Sequence, residues 1–346
     1  MQQRDHGGNL DQAMARHGGD ARDWLDLSTG INPVPWPSPR ALPAIPDSAW
    51  TALPTGRDMQ RLLDAARRAY GVHPDNGIVA APGTQSLIQV LPRIAGLAHG
   101  TRLAALPWPA YNEYVAAFIR DGWAINAVPM KEPATRHPLD QLAGADATVI
   151  INPNNPDGRR SAPDDLLDMA RRNTFIIVDE AFADVAPELS LAGRKLPARI
   201  VVLRSFGKFF GLAGMRLGFA IGDPVQTERL ADALGPWAVS GPALHLAAAA
   251  LSDRDWIAAT RNGMQRSAGA LRAVMTTAGI ADLRGTDLFV TGRVRNAEGL
   301  RDHLASQRIW IRIFPDWPGH VRFGLPAGDS GLQRLADALA SAGAYV

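Results

Sequence analysis

Lys208 is the residue whose setting most needs a chemical reason. It lies in VVLRSFGKFFGLAGMRLGF (201–219), the single lysine of an apolar, glycine-rich stretch. The stretch begins as a run that reads as a buried strand. Phe206, Phe209, Phe210 and Leu212 surround the lysine in the chain. A charged, unpaired ammonium in such company is costly. Desolvation lowers the pKa of the amine and frees it to attack carbonyl carbon. Ser205 stands three places before it and Arg216 eight places after.

The commonest task for a lysine so placed is a covalent bond to the aldehyde of pyridoxal 5'-phosphate (PLP), and that cofactor has further needs. Its phosphate takes backbone N–H groups at a helix start, together with a cation. Its ring nitrogen takes a carboxylate, which keeps the ring protonated and electron-withdrawing. PGTQSL places Gly83, Thr84 and Gln85 at a strand-to-helix turn, and Ser205 and Arg216 can complete a phosphate site. Asp179 ends FIIVD and can face the ring nitrogen. Asn155, in NPNNPDG, can bond the phenolic oxygen, and Tyr111, in PWPAYNEY, can stack on the ring. Taken singly, each of these residues also reads as a turn, a helix cap or core. Their order along successive strand ends gives the set its weight. Ser205-Phe-Gly-Lys208 also matches the S-x-x-K motif of penicillin-binding serine hydrolases. Those enzymes need S-D-N and K-T-G elements as well. This chain offers SDR (252–254) and no K-T-G, and its motif closes a strand instead of opening a helix.

The elements that must position these groups are legible around them. DMQRLLDAARRAYG (58–71) has helical period and stops at Gly71. GIVAAPG (77–83), TRLAALP (101–107), ATVIINPNN (147–155), TFIIVDEAF (174–182) and RIVVLRSF (199–206) read as strands. TQSLIQVLPRIAG (84–96) and APDDLLDMARRN (162–173) read as helices between them. Apolar strands without alternation, separated by helices, predict a parallel sheet covered on both faces. Functional groups in such sheets gather past the carboxyl ends of the strands. Beyond about 280 the pattern becomes α+β, with strands near 287–294, 309–313 and 320–325 and helices at 297–307 and 329–342. The division expected is an arm over 1–40 that joins the small domain, a large cofactor-binding domain over 41–239, and a small domain over 240–346.

Composition narrows the class. The 346 residues are 46% hydrophobic and 20% charged, with formal charge +2, which is ordinary for a soluble globular chain. Basic residues are scattered, so no nucleic-acid partner is expected. No stretch approaches the length of a membrane span, and the first residues lack an apolar signal core. There are no cysteines, which excludes a disulfide framework and thiolate metal sites. No metal is expected, and the expected location is the cytoplasm.

APGTQSLI, PAYNEY, NPNNPDG, VDEAF and RSFGKFFGLAGMRLGF together resemble the fold-type I PLP enzymes of the aminotransferase class I/II superfamily. The resemblance covers nearly the whole chain. It is strongest to the branch holding histidinol-phosphate aminotransferases and threonine-phosphate decarboxylases. The opening HGGNL and the later WLDLSTGINPVPWP are similar to the N-termini of those decarboxylases and related cobalamin-biosynthesis proteins. Phe182 stands in DEAF where many of the aminotransferases carry tyrosine, and phenylalanine is usual in the decarboxylases.

The resemblance implies an α/β fold of three layers, α/β/α, with a mostly parallel sheet and a smaller α+β domain. It implies that Lys208 bonds the cofactor, Asp179 pairs with its ring nitrogen, Asn155 with its phenolic oxygen, and Tyr111 stacks. Gly83, Thr84, Gln85, Ser205 and Arg216 would take the phosphate. Arg322, in HVRFGLP, matches the arginine that clamps the substrate carboxylate, a bidentate task suited to guanidinium. His6, Asn32 and Arg160 are weaker candidates on the substrate side. The implied reaction is decarboxylation of L-threonine O-3-phosphate, a small phosphorylated amino acid, to aminopropanol phosphate in cobalamin biosynthesis. The alternative is transamination of a phosphorylated amino compound of the histidinol-phosphate type. A homodimer is implied as well. Leu53-Pro54 departs from the Tyr-Pro pair whose tyrosine reaches the partner subunit's cofactor in many relatives.

Overall fold

The computed structural model describes residues 7–37, 44–96, 102–130, 138–171 and 175–346. The chain forms two compact units. The larger comprises 35–155 and 159–259; the smaller comprises residues up to 34, 156–158 and 260–346. In chain order the strands are β1 (Leu25–Asp26), β2 (Gly77–Ala81), β3 (Leu103–Trp108), β4 (Ala124–Pro129), β5 (Ala147–Ile151), β6 (Phe175–Asp179) and β7 (Ile200–Ser205). They continue with β8 (Gly218–Gly222), β9 (Ala281–Thr286), β10 (Phe289–Arg293), β11 (Ile309–Trp310), β12 (Arg312–Ile313) and β13 (His320–Gly324).

Among the described residues, seven strands of the larger unit form one sheet in the order β2-β8-β7-β6-β5-β3-β4. β4, β3, β5, β6 and β7 run parallel, and β8 is antiparallel to both of its neighbours. β2 therefore runs in the same sense as β7. Ala81, Ile151, Asp179 and Ser205 all end their strands at one edge. Every residue of β5, β6, β7 and β8 is buried, as continuous Val/Ile-rich runs require when both faces of a sheet are covered. The sequence reading missed β4 and β8. β4 is an edge strand with four of its six residues exposed, so its sequence carries little apolar pattern. β8, GFAIG, is framed by glycines that disguise a buried strand.

The helix Gly56–Tyr70 starts on a capping box in which Thr55 and Asp58 bond each other's backbone N–H. It ends on Gly71 in the left-handed region, φ 61°. The helix Thr84–Gly96 follows β2 after a two-residue turn and has the range read from the sequence. The helix expected over 162–173 begins with Pro163 in its first turn and runs to Met169.

In the smaller unit β12, β13, β10 and β9 form an antiparallel sheet, and β1 pairs with β11 in parallel. Phe289, Leu300, Leu304, Ile309, Phe323 and Leu335 are buried in this unit. Among the described residues no helix is long and apolar enough to cross a membrane.

Candidate active site

Asp179 closes β6 and is almost wholly buried. Its Oδ2 accepts a hydrogen bond from the Tyr114 hydroxyl at 2.8 Å, and its Oδ1 accepts from the Ala181 N–H at 2.9 Å. Burial pushes its carboxyl above the usual carboxylate range. The Lys208 ammonium, the Tyr114 hydroxyl and the Ala181 N–H pull the other way. Tyr114 is itself held neutral, because burial and then the Asp179 charge raise its pKa well above the usual phenol value. Tyr114 therefore donates and Asp179 accepts. A buried carboxylate with the Lys208 ammonium acting on it is suited to hold a protonated ring nitrogen.

Lys208 lies on the short helix Phe206–Phe209, directly after β7. Its Nζ stands 4.9 Å above the centre of the Phe182 ring. A tyrosine hydroxyl at residue 182 would add a polar group beside the amine, and Phe182 presents an aromatic face instead. The lysine loop is tightly packed. A Cβ on Gly207 would come within 2.7 Å of the Ala213 Cα.

The groups read as a phosphate site converge on the turn after β2. Ser205 on β7 pairs with Gly218 on β8. A Cβ on Gly218 would sit 2.6 Å from the Thr84 backbone nitrogen, at the first residue of the helix Thr84–Gly96. Gly83 has φ 81°, and a Cβ there would sit 2.9 Å from Arg216 Nη2. Glycine is thus needed at both positions to let a guanidinium and a helix N-terminus approach the same turn. Arg216 is exposed, in the left-handed region at φ 51°, and its Nη1 donates to the Ala213 carbonyl at 3.3 Å. The groups gathered here are donors without a carboxylate among them, which is the chemistry a phosphate needs.

The side chain of Gln85 has a different occupation. Its Nε2 donates to Glu113 Oε2 at 2.5 Å, and its Oε1 accepts from the Tyr111 hydroxyl at 3.5 Å. Its part in a phosphate site is that of its backbone. Tyr111 also packs edge-on against Tyr114, ring centres 6.5 Å apart. A chain of contacts therefore runs from Arg216 through Gly83, Thr84, Gln85, Tyr111 and Tyr114 to Asp179, on which the Lys208 charge acts. Asn155 lies half-buried in the turn after β5. These residues fit PLP: donors for its phosphate, a buried carboxylate for its ring nitrogen, an amine for its aldehyde.

The smaller unit holds Arg322 on β13, 6% exposed. Its Nη2 donates to the Ser28 carbonyl at 2.8 Å, and its guanidinium lies 5.1 Å above the Phe289 ring. The strand register sets Arg312 on β12 opposite it. The N-terminal glycines pack against the same place. A Cβ on Gly7 would meet the Ser28 carbonyl oxygen at 2.3 Å and Arg322 Nη2 at 3.6 Å. Gly8 N–H donates to Ser28 Oγ at 2.8 Å. This is the physical reason for Gly-Gly in the opening motif. His6 lies outside the described residues. Asn32 is buried, and its Oδ1 accepts the Val34 N–H at 2.9 Å. Arg160 is exposed in the larger unit, and its contact is with Glu188 at 3.9 Å.

The sequence reading passed over Tyr114, Arg312 and Arg204. Tyr114 follows Tyr111 by three residues at the start of the helix Asn112–Arg120, a spacing that puts both on one face. Arg204 is a charge inside an otherwise apolar strand, which is itself a signal.

The fold is that of the PLP-type transferase scaffold. The family model "aminotransferase class I and II" matches residues 22–339, and the chain belongs to that family. The chain is 43% identical to a threonine-phosphate decarboxylase of Sinorhizobium sp. and 39% identical to one of Pseudomonas aeruginosa, each match covering 97% of both chains. Among solved structures it is similar to histidinol-phosphate aminotransferase of Sinorhizobium meliloti in complex with pyridoxal-5'-phosphate. That match has a TM-score of 0.81 and 21% identity, and covers 95% of this chain and 92% of that one.

Proposed function

We propose that this chain is a PLP-dependent decarboxylase that converts L-threonine O-3-phosphate to aminopropanol phosphate and CO2, as a step of cobalamin biosynthesis. The observation that carries the reading is the similarity to threonine-phosphate decarboxylases along 97% of both chains. The aromatic face of Phe182 beneath Lys208 agrees with it. So do Arg312 and Arg322, which stand opposite each other in the strand register, because a substrate with a carboxylate and a phosphate presents two anions.

The cofactor is pyridoxal 5'-phosphate. When bound, it would supply an aldehyde for the substrate's amino group and a protonated ring that draws electrons from Cα. The chain's own residues do the rest. Lys208 Nζ would hold the cofactor and would supply the proton that Cα takes up in place of the lost CO2. Asp179 keeps the ring nitrogen protonated, and Tyr114 keeps Asp179 oriented. Gly83, Thr84, Ser205 and Arg216 hold the phosphate, Asn155 the phenolic oxygen. Tyr111 stacks on the ring. Arg322 holds the substrate carboxylate, with Arg312, Asn32 and His6 on the phosphate side; Arg160 has the weakest claim. Whether Cα loses CO2 or its proton falls to the residues that hold those two anions.

The test is direct. Purified protein loaded with PLP is expected to release CO2 from O-phospho-L-threonine. It is expected to form no glutamate from histidinol phosphate plus 2-oxoglutarate. Glutamate formation without CO2 release would turn the assignment to transamination.

The same reading includes a homodimer. Trp50 is 66% exposed and Leu53 65%. Trp50, Ala52, Gly214, Met215, Gly241 and Pro242 line an open groove in the larger unit. Gly214 and Met215 lead directly into Arg216, so a second copy covering this groove would seal the phosphate end of the site. A particle of one chain's mass in solution would exclude the dimer.

A further inference from the structure

Arg204 is the penultimate residue of β7 and is 3% exposed. Its Nη1 lies 3.1 Å from Glu180 Oε2 and its Nη2 2.8 Å from Asp184 Oδ1. Its guanidinium stands 4.4 Å above the centre of the Tyr70 ring. Both carboxylates are buried too. Glu180 Oε1 also accepts the Leu191 N–H at 2.6 Å, and its Oε2 accepts the Ser190 hydroxyl. Burial opposes the charge of Arg204, yet Asp184 and Glu180 hold its pKa above the ordinary value.

One cation therefore reaches from the end of β7 into the turn after β6 and grips it at two points four residues apart. Midway between those points is Phe182, whose ring lies under Lys208. The residue before the first point is Asp179. The residue after Arg204 is Ser205, and Lys208 follows three places later. Successive strand residues face opposite sides of a sheet, so Glu180 and Arg204 grip each other behind the face that presents Asp179. Register agrees: Asp179 pairs with Leu203, and Glu180 N–H donates to the Leu203 carbonyl at 2.9 Å.

Three buried charges are a weak route to stability. Apolar groups of similar shape usually serve a core as well or better. What this cluster provides is direction. Guanidinium is planar and bidentate, and it fixes two carboxylates in one geometry. We propose that Arg204 is a positioning residue for the cofactor site: it locks the Glu180–Asp184 turn onto the end of β7 and so sets Phe182 against Lys208 and the direction from which Asp179 meets the cofactor's ring nitrogen. This rests on the PLP reading and not on the identity of the substrate.

Three variants test it. Arg204→Lys keeps the charge but cannot bond both carboxylates in one plane. Arg204→Met combined with Glu180→Gln and Asp184→Asn removes the cluster without leaving an unpaired charge. The readouts are the pH titration of the holoenzyme's visible absorption band, the dissociation constant for PLP, and thermal unfolding of the apoprotein. Expected are folded apoproteins, a titration moved by at least about half a pH unit, and PLP affinity weakened about tenfold. The single change Glu180→Gln, which leaves the Asp184 grip, should give a smaller displacement in the same direction. Folded variants with wild-type titration and affinity would overturn the proposal. So would failure of all three to fold, because the cluster would then be structural alone. None of these readouts involves the substrate, so an error in the substrate assignment would leave them unchanged.

Discussion

Lys208→Ala is expected to lower turnover by at least about 10⁴-fold and to remove the visible absorption band of the holoenzyme. The size follows from the chain's shortage of amines. It has three lysines: Lys131, Lys195 and Lys208. Lys195 is 73% exposed and stands 2.8 Å from Asp75 Oδ2. Its hydrogen bond to Asp75 and the Asp75 charge raise its pKa, so it stays a protonated, unreactive ammonium. Lys131 lies outside the described residues. Of the two described lysines, Lys208 alone combines an aromatic surround, a strand-end position and the company of Asp179. The variant apoprotein gives up the ring contact with Phe182, worth about 1 kcal/mol, and the attraction to Asp179, and it should remain folded at neutral pH. Denaturant unfolding checks that point, and absorption spectroscopy with a CO2-release assay checks the other. A band that persists unchanged would mean that another amine carries the cofactor.

The sheet was legible because its strands advertise themselves. FIIVD and IVVLRS have no alternation and no polar residue until the end, and that end is where chemistry collects. Gly83 and Arg216 were found as members of a motif. What the sequence could not display is that they touch, since a turn after β2 and a loop before β8 are 133 positions apart. Tyr114 was hidden by its neighbour. Tyr111 and Tyr114 are equally good aromatic candidates on paper, and only the register of the helix Asn112–Arg120 against β6 sends the second hydroxyl to Asp179. Gln85 shows the reverse. Its place in PGTQ reads as phosphate binding, whereas its amide is spent on Glu113 and Tyr111. β9 and β4 escaped notice because sheet pairing, not apolar content, makes them strands. Residue types at strand ends are thus readable one by one, and the cross-links between them belong to the fold.

Asp179→Asn is expected to cost activity and to gain stability, and the two effects have one cause. An asparagine cannot keep a ring nitrogen protonated, so turnover should fall by about 10²–10³-fold or more. The apoprotein should respond in the opposite sense. Burial raises the Asp179 carboxyl above its unfolded value. Between those two values the native chain binds more protons than the unfolded chain, so this group's contribution to stability falls as pH rises through the window. Below the window the carboxyl is neutral and resembles asparagine. Above it, the native state carries a buried charge that asparagine lacks. The stability of Asp179→Asn apoprotein relative to wild type should therefore grow from about pH 4 upward, by roughly 1.4 kcal/mol for each pH unit by which the carboxyl is raised. Glu180, also raised by burial, is common to both proteins and drops out of the difference. Tyr114→Phe should act as a graded form of the same change. It removes the donor at 2.8 Å, raises the Asp179 carboxyl further and weakens PLP binding about tenfold. Urea unfolding of the apoproteins at pH 5 and pH 8, beside CO2 release by the holoenzymes, measures both sides. A variant that keeps wild-type turnover, or one whose relative stability is the same at the two pH values, would remove Asp179 from its place opposite the ring nitrogen.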